Sequence, residues 1–456
     1  MSDQPNTPTQ PVFDPNADHQ QTPKLRKIRG IPLPAKDAQG NQTVMLGLTD
    51  AQQISSKMVV THPAFQQIIG LFDGTRTLDQ LVTEVGNGLE RPMLENLVAQ
   101  LDDAGMLFGP VFDSLLGKMR DDFDNADLLP PGATAQFADA LVMQEHGEEA
   151  TDEQKIEHGP AKLREIIDSW IDAALKEATN PAYDTLPKAI VAPHVDYARG
   201  WMNYANVYGR LRTADRPDRI VILGTNHFGQ STGVCGCNKG YESPLGVCKL
   251  DSDLVDKLKA ALGDENAERL FENRYDHENE HSIELHMPWI QHIFGQDEAG
   301  NYPAVFGALI HDPIVNSGES YDGSGLALDP FIEALNTVLE GLPGKTLVVS
   351  SADLSHVGPA FGDQQALAGD EEPAKAFRTQ VAKHDQEMLA LFAEKKIDDM
   401  IGSISWQQNP TRWCSVGNMT AAMRLVNPEK VELLNYAAAM DPNGTTFVST
   451  AALAMF

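Results

Sequence analysis

One pattern, repeated three times, constrains the fold more than anything else in the chain: a continuous apolar run that ends at a polar tip carrying an imidazole. KAIVAPH carries such a run into Pro193 and His194. RIVILGTNH runs from Ile220 to Leu223 and through Gly224 into Asn226 and His227. TLVVSSADLSH runs from Leu347 to Val349 and through Ser350 and Ser351 into Asp353 and His356. Runs without polar alternation are strands covered on both faces, as in a parallel sheet with helical crossovers. From about residue 186 these runs alternate with helical stretches, so this part of the chain is α/β with a buried, largely parallel sheet. Ligands of open α/β sheets lie beyond the carboxyl ends of the strands. His194, His227 and the Asp353/His356 pair are therefore expected to converge. Imidazole beside carboxylate suits a divalent transition metal or acid–base chemistry near neutral pH.

Cys414, in PTRWCSVGNMTAAMRL, sits where a loop enters a helix. A helix N-terminus favours the thiolate, which makes this residue a soft ligand, a nucleophile, or else an inert buried thiol. Cys235 and Cys237 form only a C-x-C pair, with Cys248 eleven residues further on, and no second half of a zinc knuckle follows. His277-Glu278-Asn279-Glu280-His281 matches H-E-x-x-H literally, but RYDHENEHSIELHMPW carries charge on all sides, unlike a helix lining a protease cleft. Further along the same stretch, His281, Glu284 and His286 are candidates to turn towards the site as substrate-binding or supporting groups.

The 456 residues suggest about three domains, or two with connecting segments. Residues 1–24, rich in Pro, Gln, Asn and Asp, are expected to be a disordered tail. Residues 25–110 form a small module: KIRGIPLP and QTVMLGLT are extended, PAFQQIIGLF has helical spacing, Thr77 caps a helix, and Pro92 starts another that Gly105 closes. Short helices with a short extended piece suggest a winged-helix-like fold. Residues 111–184 are an acidic helical connector in which Leu163, Ile166, Ile167, Trp170, Ile171 and Leu175 make an apolar face. Residues 185–456 make the α/β domain. Lys+Arg 35 against Asp+Glu 65 leaves a net charge of −30, which argues against nucleic-acid and anionic-membrane partners. With four cysteines, no signal-like N-terminus and no long apolar run, the expected location is cytoplasmic.

Taken in order, APHVDYARG at 192–200, ILGTNHFG at 222–229, YESPLG at 241–246, ENEHSIELHMPW at 278–289, SSADLSHVG at 350–358, WCSVG at 413–417 and GTTFVSTAALAMF at the end resemble the Memo family, the B component of the AmmeMemoRadiSam group. The resemblance covers residues 186–456. It implies a fold like that of the class III extradiol dioxygenases and a metal site of His194, His227 and Cys414. Asp353 and His356 would then complete the pocket as acid–base groups, with iron the expected metal and copper its competitor. LFDGTRTLDQLV, ending in LDDAGML, resembles the peptide-binding modules related to the pyrroloquinoline-quinone D protein.

The chain departs from the family pattern at several points. Asp196 stands where P-H-x-G-Y has glycine, beside Tyr197, and offers pocket charge or an extra ligand. Arg199, in YARG, suits a pocket for an anion, and Ser415 replaces the usual glycine after Cys414. The leading expectation is a redox enzyme using dioxygen on a small or peptide-linked substrate. The alternative is a non-catalytic peptide- or protein-binding scaffold, and a metal-dependent hydrolase is a third, weaker reading. Family grouping adds radical-SAM and AMMECR-type proteins as partners. No phosphate loop or dinucleotide fingerprint is present.

Overall fold

The computed structural model describes residues 11–36 and 39–456, and the chain divides into two compact units, one up to Ala126 and one from Asp127. The helix Pro110–Asn125, placed by sequence in the connector, thus belongs to the first unit, and residues 127–184 belong to the second.

The first unit opens with a three-stranded antiparallel sheet of Ile28–Lys36, Gln42–Asp50 and Met58–Thr61, in that order. Pro32 and Pro34 lie in its first strand, where an edge position tolerates a residue without an N–H. The helices Phe65–Ile69, Leu78–Val85, Arg91–Asp103 and Pro110–Asn125 follow. Thr77 and Gln80 form a reciprocal capping box, which satisfies two of the amide donors that a helix start leaves unpaired. Inside this unit lies a completely buried ion pair, Arg26 to Asp50, 3.0 Å apart. The Arg26 guanidinium also donates to the Gly105 carbonyl and lies 3.9 Å over the Phe112 ring. Asp50 accepts the N–H groups of Gln52, Ile54 and Ser55. The tail expected over 1–24 lies, as far as residue 10, outside the described residues. From Pro11 the chain is held in place: a helical turn at Asp18–Gln21 sets His19 and Gln20 on Asp102, at 2.9 and 2.6 Å.

The second unit is built on a large mixed sheet. Its order is Asp353–Val357, Phe447–Met455, Ala189–Ala192, Thr346–Ser351, Arg219–Thr225, Ala304–Ile310, Cys235–Gly236, with Val431–Met440 pairing Phe447–Met455 along its length. The four strands from Ala189–Ala192 to Ala304–Ile310 are parallel, and the flanking pairs are antiparallel. Ile190, Val191, Ile220, Val221, Ile222 and Leu347 are all fully buried. Parallel register brings the carboxyl ends together, with Ser351 opposite Ala192 and Ile310 opposite Thr225. His356 departs from the expected third run: the chain leaves the parallel strand at Ser351 and Asp353–Val357 pairs instead with Phe447–Met455. Two glycines allow close approach at this edge. A Cβ on Gly224 would meet Ser282 Oγ at 2.6 Å, and one on Gly417 would meet the His311 carbonyl at 2.2 Å. Among the described residues no helix is long and apolar enough to cross a membrane.

Asp50→Ala leaves the Arg26 charge buried without its partner, which costs about 3–5 kcal/mol. Urea unfolding of the full chain should show the loss, with hydrogen exchange placing it in residues 11–126. Unchanged protection there would refute this role for the pair.

Candidate metal centre

His194 follows the strand Ala189–Ala192, His227 follows Arg219–Thr225, and Cys414 immediately precedes the turn into the helix Val416–Val426. One ligand atom from each lies within 4.8 Å of the others, and Cys414 Sγ is 3.3 Å from His194 Nε2. Two donors on one ion with bonds of about 2.0–2.3 Å are themselves roughly 3.1–3.6 Å apart.

Hydrogen bonding assigns the protons on both rings. The Ser351 hydroxyl donates to the Ser282 carbonyl at 2.5 Å, so it accepts from His194 Nδ1–H at 3.0 Å. The Glu280 carboxylate accepts from His227 Nδ1–H at 3.0 Å and from the His227 backbone N–H at 2.8 Å. A ligating histidine usually has its second nitrogen fixed by such a partner, which leaves the Nε2 lone pair for the metal. Burial alone would raise Glu280, but His227 holds its carboxyl down at about 2. Burial lowers His227, and the opposing pull of Glu280 and Cys414 is stronger and raises it well above the ordinary histidine value. Metal binding there displaces a proton. His194, wholly buried, is pushed well below 6.5 by desolvation and then by its histidine neighbours.

Asp353 is buried, and its Oδ1 accepts the N–H groups of His194 and Val195 at 2.9 and 3.1 Å. Burial raises its pKa. His356 donates Nδ1–H to the Leu354 carbonyl at 3.0 Å, leaving Nε2 as an acceptor, and burial lowers its pKa. His281 stacks on His227 with centroids 4.9 Å apart and points Nδ1 at Glu280, 3.4 Å away. His227, Glu280 and His281 form a second close triplet that shares His227.

The other residues expected to line the pocket are engaged elsewhere. Asp196 caps the helix Tyr197–Tyr208, and Arg199 closes back on it at 2.6 Å, so the acid and the cation neutralise one another. The Tyr197 hydroxyl donates to the Leu285 carbonyl at 2.5 Å, and its ring packs among Phe137, Tyr204 and Trp289. Glu284 accepts the N–H groups of Gly132, Ala133 and Thr134 at 2.8–3.1 Å, filling the orphan donors at the start of the helix Ala133–His146. His286 is buried between Tyr204 and Tyr208, with Nδ1 on the Tyr208 hydroxyl at 2.9 Å. The H-E-x-x-H match separates in space: His277 spends both nitrogens, on Tyr241 and on the Cys235 carbonyl, while His281 starts a different helix. A fourth parallel strand, Ala304–Ile310, also ends in a histidine, but His311 turns away to the carbonyls of Gly318 and Glu319.

Sequence reasoning missed the supports. Glu280 was visible only as one more acid in a charged run, although it directly precedes His281. Asp276 ties the loop after His227 by accepting from Asn226 Nδ2 and from the N–H groups of Gln230 and Ser231. Asn418 binds the Thr225 hydroxyl and the Ser351 carbonyl, joining two strand ends to the helix after Cys414.

Burial holds His286 neutral, with its pKa down at about 3 against 6.5 when unfolded. The unfolded chain therefore binds the extra proton between those values, and stability falls as pH drops from 6.5 towards 3. His286→Gln should flatten that fall in urea titrations at several pH values, and an unchanged slope would show that another group controls it.

A family model described as Memo-like protein matches residues 155–455. A MEMO1 family protein of Methanopyrus kandleri is 27% identical over 293 residues, 62% of this chain and 89% of the relative. Another from Desulfurococcus amylolyticus is 32% identical over 206 residues, 44% of this chain and 65% of that one. A third, from Aquifex aeolicus, is 23% identical over 372 residues, 80% of this chain and 82% of its own length. With strand ends, histidines and cysteine arranged as above and the family model spanning more than half of its residues, the chain belongs to the Memo-like protein family.

Proposed function

We propose that the second unit is an extradiol-dioxygenase-like domain that holds one redox metal, iron or alternatively copper, through His194, His227 and Cys414, and works as a dioxygen-dependent enzyme in the cytoplasm. The observation carrying this reading is one ring nitrogen each of His194 and His227 and the sulfur of Cys414 gathered within 4.8 Å, with both Nδ1–H groups already spent on Ser351 and Glu280. Imidazole and thiolate together suit late first-row ions. A metal held by these three residues would supply redox chemistry towards dioxygen. The protein's own contribution is orientation and proton handling. Asp353 pins the His194 backbone. In this reading His356 takes a proton from a substrate at Nε2, since Nδ1 is bonded to the Leu354 carbonyl, and the partly exposed His281, beside His227, meets a small or peptide-linked substrate. Asp353 and His356 are thus the acid–base groups of the proposal.

A second reading is favoured by the first unit, which carries a groove of about 880 Å³ whose lining includes Phe65, Ile68, Leu71, Val85, Leu89 and Met93. On this reading a winged-helix-like, peptide-type module captures a peptide or a radical-SAM or AMMECR-type partner, and the chain is a scaffold without turnover.

Elemental analysis of protein purified without oxygen or chelator, beside His194→Ala, His227→Ala and Cys414→Ala, separates the two. Near-stoichiometric iron or copper, lost in each variant while the circular dichroism spectrum is retained, is expected. Full metal in His227→Ala sinks the ligand set, and no metal in wild type after reconstitution leaves the scaffold reading.

A further inference from the structure

Behind the site lies a buried carboxylate that the proposed chemistry does not use. Asp385, on the helix Glu372–Ala393, is 0% exposed. Its Oδ1 accepts from Ser355 Oγ at 2.5 Å and from Trp413 Nε1 at 2.7 Å. Its Oδ2 accepts from Tyr436 Oη at 2.7 Å and from Ser449 Oγ at 2.5 Å. A carboxylate can accept all four of these bonds, whereas an amide or a smaller residue cannot. Two of the donors adjoin the site in sequence: Trp413 precedes Cys414, and Ser355 precedes His356. Trp413 Nε1 also lies 3.2 Å from Ser355 Oγ, so the two are tied to one another as well as to Asp385.

The turn that delivers Cys414 needs such an anchor. Gln408, Asn409 and Arg412 all adopt left-handed backbone, with φ of 59°, 48° and 57°. Non-glycine residues hold that conformation only where their surroundings enforce it. The Asn409 side chain grips the Trp413 backbone on both sides, accepting from its N–H at 2.8 Å and donating to its carbonyl at 2.9 Å. The indole, 1% exposed, carries the far end of that grip down to Asp385.

We propose that Asp385 is a positioning residue for the site, holding Cys414 through Trp413 and His356 through Ser355 in one frame. The inference rests on the reading of Cys414 and His356 as site residues, and its test has one arm that needs no metal. In full-length apo-protein, Cys414 is the one partly exposed cysteine and the other three are buried, so its alkylation by iodoacetamide reports its setting directly. A second arm titrates Co²⁺ and follows the thiolate charge-transfer band.

Trp413→Phe keeps an aromatic ring but removes the N–H together with part of the indole's volume, and Asp385→Asn keeps the shape but removes one acceptor. Tyr436→Phe removes a donor to the same carboxylate from the side away from Cys414, and serves as the control. Trp413→Phe and Asp385→Asn should each change the alkylation rate by about tenfold and weaken Co²⁺ binding by about tenfold or more, with a shifted band. The double variant should be no worse than the worse single, because both break one connection. Tyr436→Phe should stay within about twofold of wild type even where its melting temperature falls. The proposal is overturned if Trp413→Phe alkylates at the wild-type rate, or if Tyr436→Phe moves the rate as much. If Asp385→Asn does not fold, Trp413→Phe and Ser355→Ala decide. Failure of wild type to bind Co²⁺, with altered alkylation in Trp413→Phe, would refute the metal reading and keep this one.

Discussion

Burial of four parallel strands on both faces is the constraint on which the second unit depends. Strands covered by helices on either side have no solvent face for polar groups, so polar chemistry is displaced to their ends. Parallel direction places all four carboxyl ends on one edge, and three of them contribute to the site: His194, His227 and, two residues beyond Ser351, Asp353 with its clamp on the His194 backbone. Cys414 reaches the same edge from another direction, at the start of a helix whose Asn418 holds two of those strand ends. Gly224 and Gly417 make the approach possible, because any side chain there would occupy space already taken by Ser282 or by the His311 carbonyl.

Polar groups at that edge are expensive to bury unless each has a partner, and the partners are what orient the nearby imidazoles as a candidate ligand set. Ser351 and Glu280 bind opposite histidines through the same ring position, Nδ1, so both rings present Nε2 inward. Glu280 stays ionised despite complete burial because the His227 ring faces it, with the backbone N–H groups of His227 and Ser282 accepted as well. The same logic operates away from the site. Glu284 is satisfied by a helix start, Asp385 by four neutral donors and Asp50 by a guanidinium and three amides. These buried acids set geometry, and three different partner classes satisfy their oxygens in low dielectric.

Most of the sheet was legible in sequence because a strand buried on both faces is a local signal: its apolar run has no alternation to disguise it. The histidines were legible for the same reason, as the polar residues terminating those runs. The pattern had a limit, however. His311 ends an equally buried strand and faces two carbonyls of its own loop instead. The ENEHSIELH stretch shows the complementary failure. Four of its charged or imidazole groups have similar outward chemistry, yet Glu280 supports His227, His281 flanks it, Glu284 caps a remote helix and His286 sits in an aromatic layer. Helical spacing alone could not separate them, since a 3₁₀ turn and two short helices break the stretch into pieces pointing different ways.

The sequence by itself determined the α/β character of residues beyond about 186, the polar strand ends and the membership of His194, His227 and Cys414 in a family pattern. All of these follow from short-range periodicity or from ordered motifs. Tertiary structure decided which polar residues meet: that Glu284 leaves for the Ala133–His146 helix, and that Glu280 and Ser351 orient the two imidazoles. It also decided that Asp385, far from any motif, stands behind both Cys414 and His356. Partners separated by tens of residues are chosen by the packing of whole elements, and a buried donor or acceptor takes the partner that packing brings within about 3 Å, whatever its place in the chain.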